Sequence, residues 1–254
     1  MTDGGHFPPF SAAARHAHLA ALSGETWDLL VVGGGITGAA AARDAAGRGL
    51  RVALLEAGDF AQGTSSRSSR LIHGGLRYLE TFDFALVFEA SAERRLLLEL
   101  ATHLVHPLPF LFPVFRRGPV GYRKLQAGMW LYDALSLFRN IARHRMLPRA
   151  KALQAEPGLR EDGLVGAALY YDASVDDARL TLANARGAHE AGAAVVSHAS
   201  VDGFLQDGSG ITGVRVRDCL AAPGGATVEV RARVVLNATG PWSDSLRRLA
   251  DARA

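Results

Sequence analysis

Residues Asp28 to Gly58, DLLVVGGGITGAAAARDAAGRGLRVALLEAG, admit few architectures. A short apolar run, Leu29 to Val32, enters Gly33-Gly34-Gly35-Ile36-Thr37-Gly38. An alanine-rich stretch follows and is broken by Gly47 and Gly49. A second apolar run, Val52 to Leu55, ends on Glu56. This order predicts a strand, a tight turn, a helix and a second strand, the unit that binds a dinucleotide. Gly33 permits the turn, Gly35 lets a pyrophosphate approach the backbone, and Gly38 lets the helix lie close to the sheet. The helix that starts there points free N–H groups and the positive end of its dipole at an anion, and Ile36 and Thr37 are counted among the cofactor contacts. Glu56 stands eighteen residues past Gly38, placed to accept hydrogen bonds from ribose hydroxyls, and its charge would repel a 2′-phosphate. A Gly-rich turn alone is weak evidence. Here the strand before it, the helix after it and the acid beyond it occur together. The motif does not separate FAD from NAD.

Residues 63–80, GTSSRSSRLIHGGLRYLE, are too polar and Gly-rich for a core element and too patterned for a linker. Thr64, Ser65, Ser66 and Ser69 offer hydroxyls and amides to a pyrophosphate. Leu71, Ile72, His73 and Gly74 follow, and Gly74-Gly75 would let the chain run flush against a flat ring. The plainer alternative is a solvated Ser-rich turn.

These motifs, with YDASVDDARLTLANA (171–185) and VLNATGPW (235–242), closely resemble the FAD-dependent glycerol-3-phosphate dehydrogenases, within the D-amino-acid-oxidase-like flavoproteins. The resemblance covers about residues 27–244. It implies an α/β fold: an FAD-binding Rossmann-like domain of the glutathione-reductase type, with an inserted α+β substrate domain. It implies FAD as cofactor and oxidation of sn-glycerol 3-phosphate to dihydroxyacetone phosphate, with hydride passing from C2 to flavin N5 and electrons going on to quinone. By the same resemblance Arg77 holds the substrate phosphate, Tyr78 adds a hydroxyl donor, and His73 lies beside the ring, as a flavin-edge contact or a proton shuttle. Backbone near Val201 meets the adenine, and Ala238, Thr239 and Gly240 pass the diphosphate. A guanidinium suits the phosphate role because it binds oxygens in a fixed fork. Asp176 or Asp177 can cap the helix after them, which needs no ligand at all.

Three readings stand on the residues: a dehydrogenase donating to quinone, an oxygen-using glycerol-3-phosphate oxidase or amine oxidase relative, and a non-catalytic flavin-binding remnant. Arg77 argues against an amine substrate. Family members continue past NATGPW, so the chain is expected to be an N-terminal fragment with an incomplete substrate pocket. The full-length form is expected to be a homodimer.

The expected domains are a tail with a short helical piece over 1–26, an FAD-binding first part over 27–100, a substrate or cap portion over 101–175 and an FAD-binding second part over 176–254. Helices are expected at 81–103, 119–140 and 177–191, and strands at 164–171, 193–197, 211–217, 227–231 and 233–237. Pro107, Pro109 and Pro113 should break helical structure. Apolar residues at 48% and charged ones at 21% are ordinary globular usage. Cys219, the single cysteine, cannot form an internal disulfide and is expected to be a buried, inert thiol in a reducing compartment.

No secretion signal is visible, and no apolar run is long enough to span a bilayer. Residues 104–149 hold eight Lys/Arg (Arg116, Arg117, Arg123, Lys124, Arg139, Arg143, Arg145, Arg149) against one acid, Asp133. Phe110, Phe112, Phe115, Trp130, Tyr132 and Phe138 are interleaved. That pattern suits an anionic membrane surface, or a solvated basic face over an aromatic core. The expected location is cytoplasmic, peripheral on the inner face of the cell membrane. A net charge of only +3 and the lack of a binding module argue against nucleic acid, and no metal cluster is expected.

Overall fold

The computed structural model describes residues 9–79, 81–136, 141–208, 210–222 and 227–251, with the backbone alone at Arg77 and Leu79. The chain forms two compact units. Residues up to Ser68, with those from Asp177 on, make the first, and Ser69–Asp176 make the second. The chain therefore changes unit well before the break expected after residue 100.

In chain order the elements are α1 (Ala12–Ala21), β1 (Trp27–Val32), α2 (Ile36–Gly47), β2 (Val52–Leu55), β3 (Leu71–Ile72), α3 (Phe84–Leu100), β4 (Val105–Phe115) and α4 (Tyr122–Leu135). They continue as β5 (Arg145–Pro148), α5 (Arg149–Ala155), β6 (Leu164–Val175), α6 (Asp177–Glu190), β7 (Ala194–Val196), β8 (Ala199–Asp207), β9 (Gly210–Asp218), β10 (Thr227–Asn237) and α7 (Ser243–Ala250).

The first unit is built on a six-stranded sheet in the order β7-β2-β1-β10-β9-β8. The four strands β7, β2, β1 and β10 run parallel, and β9 and β8 are antiparallel. Side chains alternate across the central strands, as a period of two requires. Val31, Val52 and Leu54 bury on one face, against alanines of α2 and α6. Leu30, Ala53 and Leu55 bury on the other, with Leu22, Val214, Val216 and Val230. Helix α2 owes its close seating to small residues. Ala39, Ala42, Ala45 and Ala46 share one stripe and meet Ala185 and Ala188 of α6. Alanine has high helix propensity and holds the backbones close together.

Sequence expectation and structure differ here at several points. The supposed tail is part of the fold, since Leu22 joins the core, Arg15 pairs with Asp218, and the His18 ring meets the Val195 carbonyl at 2.9 Å. The two strands expected at 227–231 and 233–237 are one. Residues up to Arg231 pair antiparallel with β9, and from Ala232 the strand runs parallel to β1. Cys219 is exposed, because it sits in the turn after β9 rather than on an inward face. Strand β8 and helices α5 and α7 were not anticipated.

The second unit has a four-stranded sheet centred on β6, which pairs with β3, β4 and β5. Val87 of α3, Val114 of β4, Leu125 and Met129 of α4 and Ala168 of β6 form its core. Segment 105–115 is a strand despite Pro107, Pro109 and Pro113. Residues of one parity point their N–H groups to one edge, and all three prolines share that parity. Val105, of the same parity, donates its N–H to Ala101 O at 2.8 Å and not to β6, so the missing donors fall on the side away from β6, where a strand tolerates proline.

Of the basic and aromatic set, Arg116, Arg117, Arg123, Lys124, Arg143, Arg145 and Arg149 are exposed, as are Phe112 and Trp130. Tyr132 is buried, and so is Asp133, which holds His144 at 2.7 Å. Neither can belong to a surface stripe, because α4 turns both inward. Phe138 and Arg139 lie outside the described residues. Among the described residues no helix is long and apolar enough to cross a membrane.

Candidate functional site

The turn between β1 and α2 shows why it needs glycine. Gly33 has φ +114°, and a Cβ there would come within 2.5 Å of the Ala238 carbonyl oxygen. A Cβ on Gly38 would overlap the Gly33 carbonyl and lie 3.2 Å from the Ala238 Cβ. Strand end, turn and helix start therefore touch without intervening side chains. The sheet fixes this approach, with Gly33 N donating to Leu55 O and Ala238 N to Val32 O, both at 2.8 Å.

Above that turn the helix start is open to a ligand. Gly35 precedes α2 in an extended conformation. Ile36 and Thr37 are exposed. The Ile36 amide donates to the Ser65 hydroxyl at 2.9 Å, and a Cβ on Gly35 would approach the same hydroxyl at 3.1 Å. Thr64 to Ser66 form a single 3₁₀ turn in which Ser66 Oγ reaches the Gly63 carbonyl at 3.4 Å. A glycine is also needed at 63, where a Cβ would sit 2.9 Å from the Trp242 ring.

Glu56 closes the other side. Its Oε2 accepts the Gly34 amide at 2.7 Å, and its Oε1 accepts the Gly58 amide at 2.8 Å and Gln62 Nε2 at 3.2 Å. The carboxylate is more engaged with its own chain than the ribose reading supposed. A carboxylate has about four acceptor positions, so one remains beside these three bonds. Strand β8 starts next to it, with Ala199 N donating to Glu56 O at 2.8 Å. Val201, two residues on, is half-buried against the core. At the far strand end Asn237 Oδ1 accepts the Thr239 amide at 3.2 Å and its hydroxyl at 2.7 Å, and Gly240 adopts φ +56°. Asp177 opens α6 and accepts the Ser68 hydroxyl at 2.6 Å.

In the second unit Ser69 is exposed, and Leu71 and Ile72 form β3 opposite Ser174 and Ala173. His73 is exposed and its ring stands 6.2 Å from that of Tyr78. Gly75 has φ +75°, and Tyr78 N returns to its carbonyl at 2.8 Å. Arg77 lies in the short helix Leu76–Leu79, and its side chain is outside the described residues.

The first unit thus gathers Gly33, Gly35, Ile36, Gly38, Glu56, Ser65 and Ala238 around one helix start. Sequence reading passed over Gln62, and named Asn237 and Trp242 only as members of the VLNATGPW motif, with no role of their own. The Asn two residues before Thr239 is the one signal that could have flagged a strand-end turn. Residues 28–254 match the family described as FAD dependent oxidoreductase. The chain belongs to that family. Within the FAD dependent oxidoreductases it is 49% identical over 233 residues to a glycerol-3-phosphate dehydrogenase of Mycobacterium leprae, covering 90% of this chain and 39% of the relative. An alpha-glycerophosphate oxidase of Streptococcus pneumoniae is 42% identical over 246 residues, 95% of this chain and 40% of the relative. The crystal structure of a glycerol-3-phosphate dehydrogenase from Bacillus halodurans complexed with FAD superposes with a TM-score of 0.72. It is 34% identical and covers 93% of this chain and 39% of that one. The chain therefore spans about two fifths of the length of these relatives.

The observed turn fits the family's cofactor. Glycines keep three Cβ atoms out of the cradle, a helix N-terminus faces it, and a carboxylate flanks it. The α/β fold with a largely parallel sheet agrees with the family as well.

Proposed function

We propose that this chain binds FAD and serves the oxidation of sn-glycerol 3-phosphate to dihydroxyacetone phosphate. One observation carries the nucleotide part: the Gly33–Gly38 turn, open at the start of α2 and flanked by Glu56. The named activity of relatives 49% and 34% identical supports the substrate.

In this reading Gly35, Thr37 and Gly38 present amides to the diphosphate, Ile36 reaches it through the Ser65 hydroxyl that its amide holds, and Thr64, Ser66 and Ser69 add hydroxyls. Glu56 takes a ribose hydroxyl with its remaining acceptor position. Val201 meets the adenine through its backbone, and Ala238, Thr239 and Gly240 flank the diphosphate. Leu71, Ile72, His73 and Gly74 line the flavin. FAD, when bound, supplies the two-electron redox chemistry. Arg77 holds the substrate phosphate in a bidentate fork, Tyr78 donates a hydrogen bond, and His73 orients the reacting group or carries its proton.

Quinone is the proposed acceptor. Exposed Arg116, Arg117, Arg123 and Lys124, with exposed Phe112 and Trp130, support contact with an anionic bilayer on its cytoplasmic side. Relatives named as oxidases keep oxygen as the second reading. The test is anaerobic addition of glycerol 3-phosphate to the FAD-loaded protein. Bleaching of the flavin band is expected, and re-oxidation by a quinone analogue faster than by air selects the acceptor. A flavin that binds and never bleaches overturns the substrate. Co-sedimentation with anionic but not neutral vesicles checks the membrane reading.

A further inference from the structure

Beneath Gly74 lies a buried polar cluster with no part in the nucleotide cradle. Arg94 of α3, Tyr132 of α4 and Asp172 of β6 are 1%, 1% and 4% exposed. Arg94 Nη1 pairs with Asp172 Oδ1 and donates to the Tyr132 hydroxyl at 2.8 Å and to the Tyr171 carbonyl at 3.3 Å. Tyr132 Oη lies 3.4 Å from the same carboxylate oxygen. That oxygen also accepts the backbone amide of Gly74, at 2.9 Å.

Gly74 is seated on the cluster. A Cβ there would overlap the Tyr132 hydroxyl and come within 2.7 Å of Arg94 Nη1 and 2.9 Å of Ser91 Oγ. Its φ is outside the left-handed region, unlike that of Gly75 at +75°. Glycine at 74 is thus required by what lies under it and not by the backbone conformation. A buried ion pair contributes little net stability for its desolvation cost, so one that grips a main-chain amide is better explained by what it holds in place.

We propose that Arg94, Tyr132 and Asp172 are positioning residues, which fix the backbone at Gly74 and so set where His73 and Tyr78 are presented to substrate and flavin. The proposal rests on the reading of residues 73–78 given above. The cluster links three elements that each carry part of the second unit's core, so the segment inherits their rigidity. Burial pushes the Tyr132 phenol up to about 12, which keeps it a hydrogen-bond donor at any ordinary pH.

The test uses the full chain loaded with FAD. Tyr132→Phe removes one hydroxyl and Arg94→Lys keeps the charge while losing the fork. Both avoid the uncompensated buried charge that Arg94→Ala would leave. Hydrogen exchange at the amides of Gly74 and Gly75 should rise by roughly tenfold or more in each, with exchange in α6 unchanged. The visible flavin band should shift or broaden. Gly74→Ala should have the same effect, and adding Tyr132→Phe should partly rescue it, because that change removes the hydroxyl the new methyl would strike.

Unchanged exchange at Gly74 in both single variants, or a double variant worse than the sum of its parts, overturns the proposal. Flavin reduction by glycerol 3-phosphate is read separately. Its absence in the unaltered protein refutes the substrate reading and leaves the exchange result to decide the positioning role. Where the unaltered protein is reduced, kcat should fall more than KM rises in Arg94→Lys, and equal retention of both counts against the proposal.

Discussion

The carboxylate of Glu56 accepts the amide of Gly34 at 2.7 Å, tying the end of β2 to the turn that precedes α2. Its second oxygen accepts the amide of Gly58 at 2.8 Å. Both oxygens thus face N–H donors, and the carboxylate both shapes the turn and flanks the cradle.

Glu56→Gln must aim its own NH₂ at one of those two amides. A buried or half-buried donor left without an acceptor costs about 1–3 kcal/mol. FAD affinity should fall by roughly tenfold to a hundredfold, read by quenching of flavin fluorescence on titration. An unaltered dissociation constant would show that Glu56 serves the turn and not the nucleotide.

Gly38→Ala and Gly47→Ala form a matched pair on one helix. A Cβ at 38 overlaps the Gly33 carbonyl, whereas a Cβ at 47 meets nothing within 4 Å. The first should destabilise by about 1–3 kcal/mol and weaken FAD together. The second should be neutral or stabilise by up to about 1 kcal/mol, as removal of a helical glycine does. Thermal melts with and without FAD decide this, and equal effects at the two sites would refute the packing account.

The prolines of β4 predict an association effect. Pro107, Pro109 and Pro113 each remove an N–H from the edge away from β6, on which Leu111 keeps its own. Replacing all three by threonine restores three donors to an open strand edge, a template for another strand. Light scattering should show concentration-dependent oligomers in the triple variant, with little change in monomer secondary structure by circular dichroism. A variant that stays monomeric would mean the edge is covered.

How much of this could be read from the chain depended on whether a signal was local. The turn from Gly33 to Gly38 carries its whole geometry within six residues, and α2 and β2 follow from the runs on either side. The odd-numbered prolines of β4 break helical structure, as expected, but only their shared parity, combined with an edge position, shows how they fit a strand. Strand β10 was divided in two, because an arginine-rich surface interrupts its apolar residues while its pairing partner changes from β9 to β1. The cluster under Gly74 had no sequence signal at all. Arg94 and Asp172 are 78 residues apart, and neither spacing nor composition connects them. Ser65 reaching Ile36 across 29 residues belongs to the same class. Side chains that close a site from a distant segment are fixed by tertiary packing, which periodicity does not encode.

The acid side of the stability profile should report on His18. This residue is 0% exposed, with its ring against Val195 and 3.2 Å from His189 Nδ1. Burial is the main cause that holds its pKa below the ordinary 6.5. The bond to Val195 works against that, and His189 adds to the lowering. The unfolded chain therefore takes up the proton first as pH falls. The stability linked to this group is complete above pH 6.5, declines as pH drops from there toward the depressed folded value, and declines no further below it. His18→Gln cannot titrate, so the difference in Tm between the natural protein and the variant should be constant above pH 6.5 and should shrink in acid. Parallel Tm curves across pH 5–8 would mean that His18 keeps its ordinary protonation in the fold, with α1 loosely seated on the sheet.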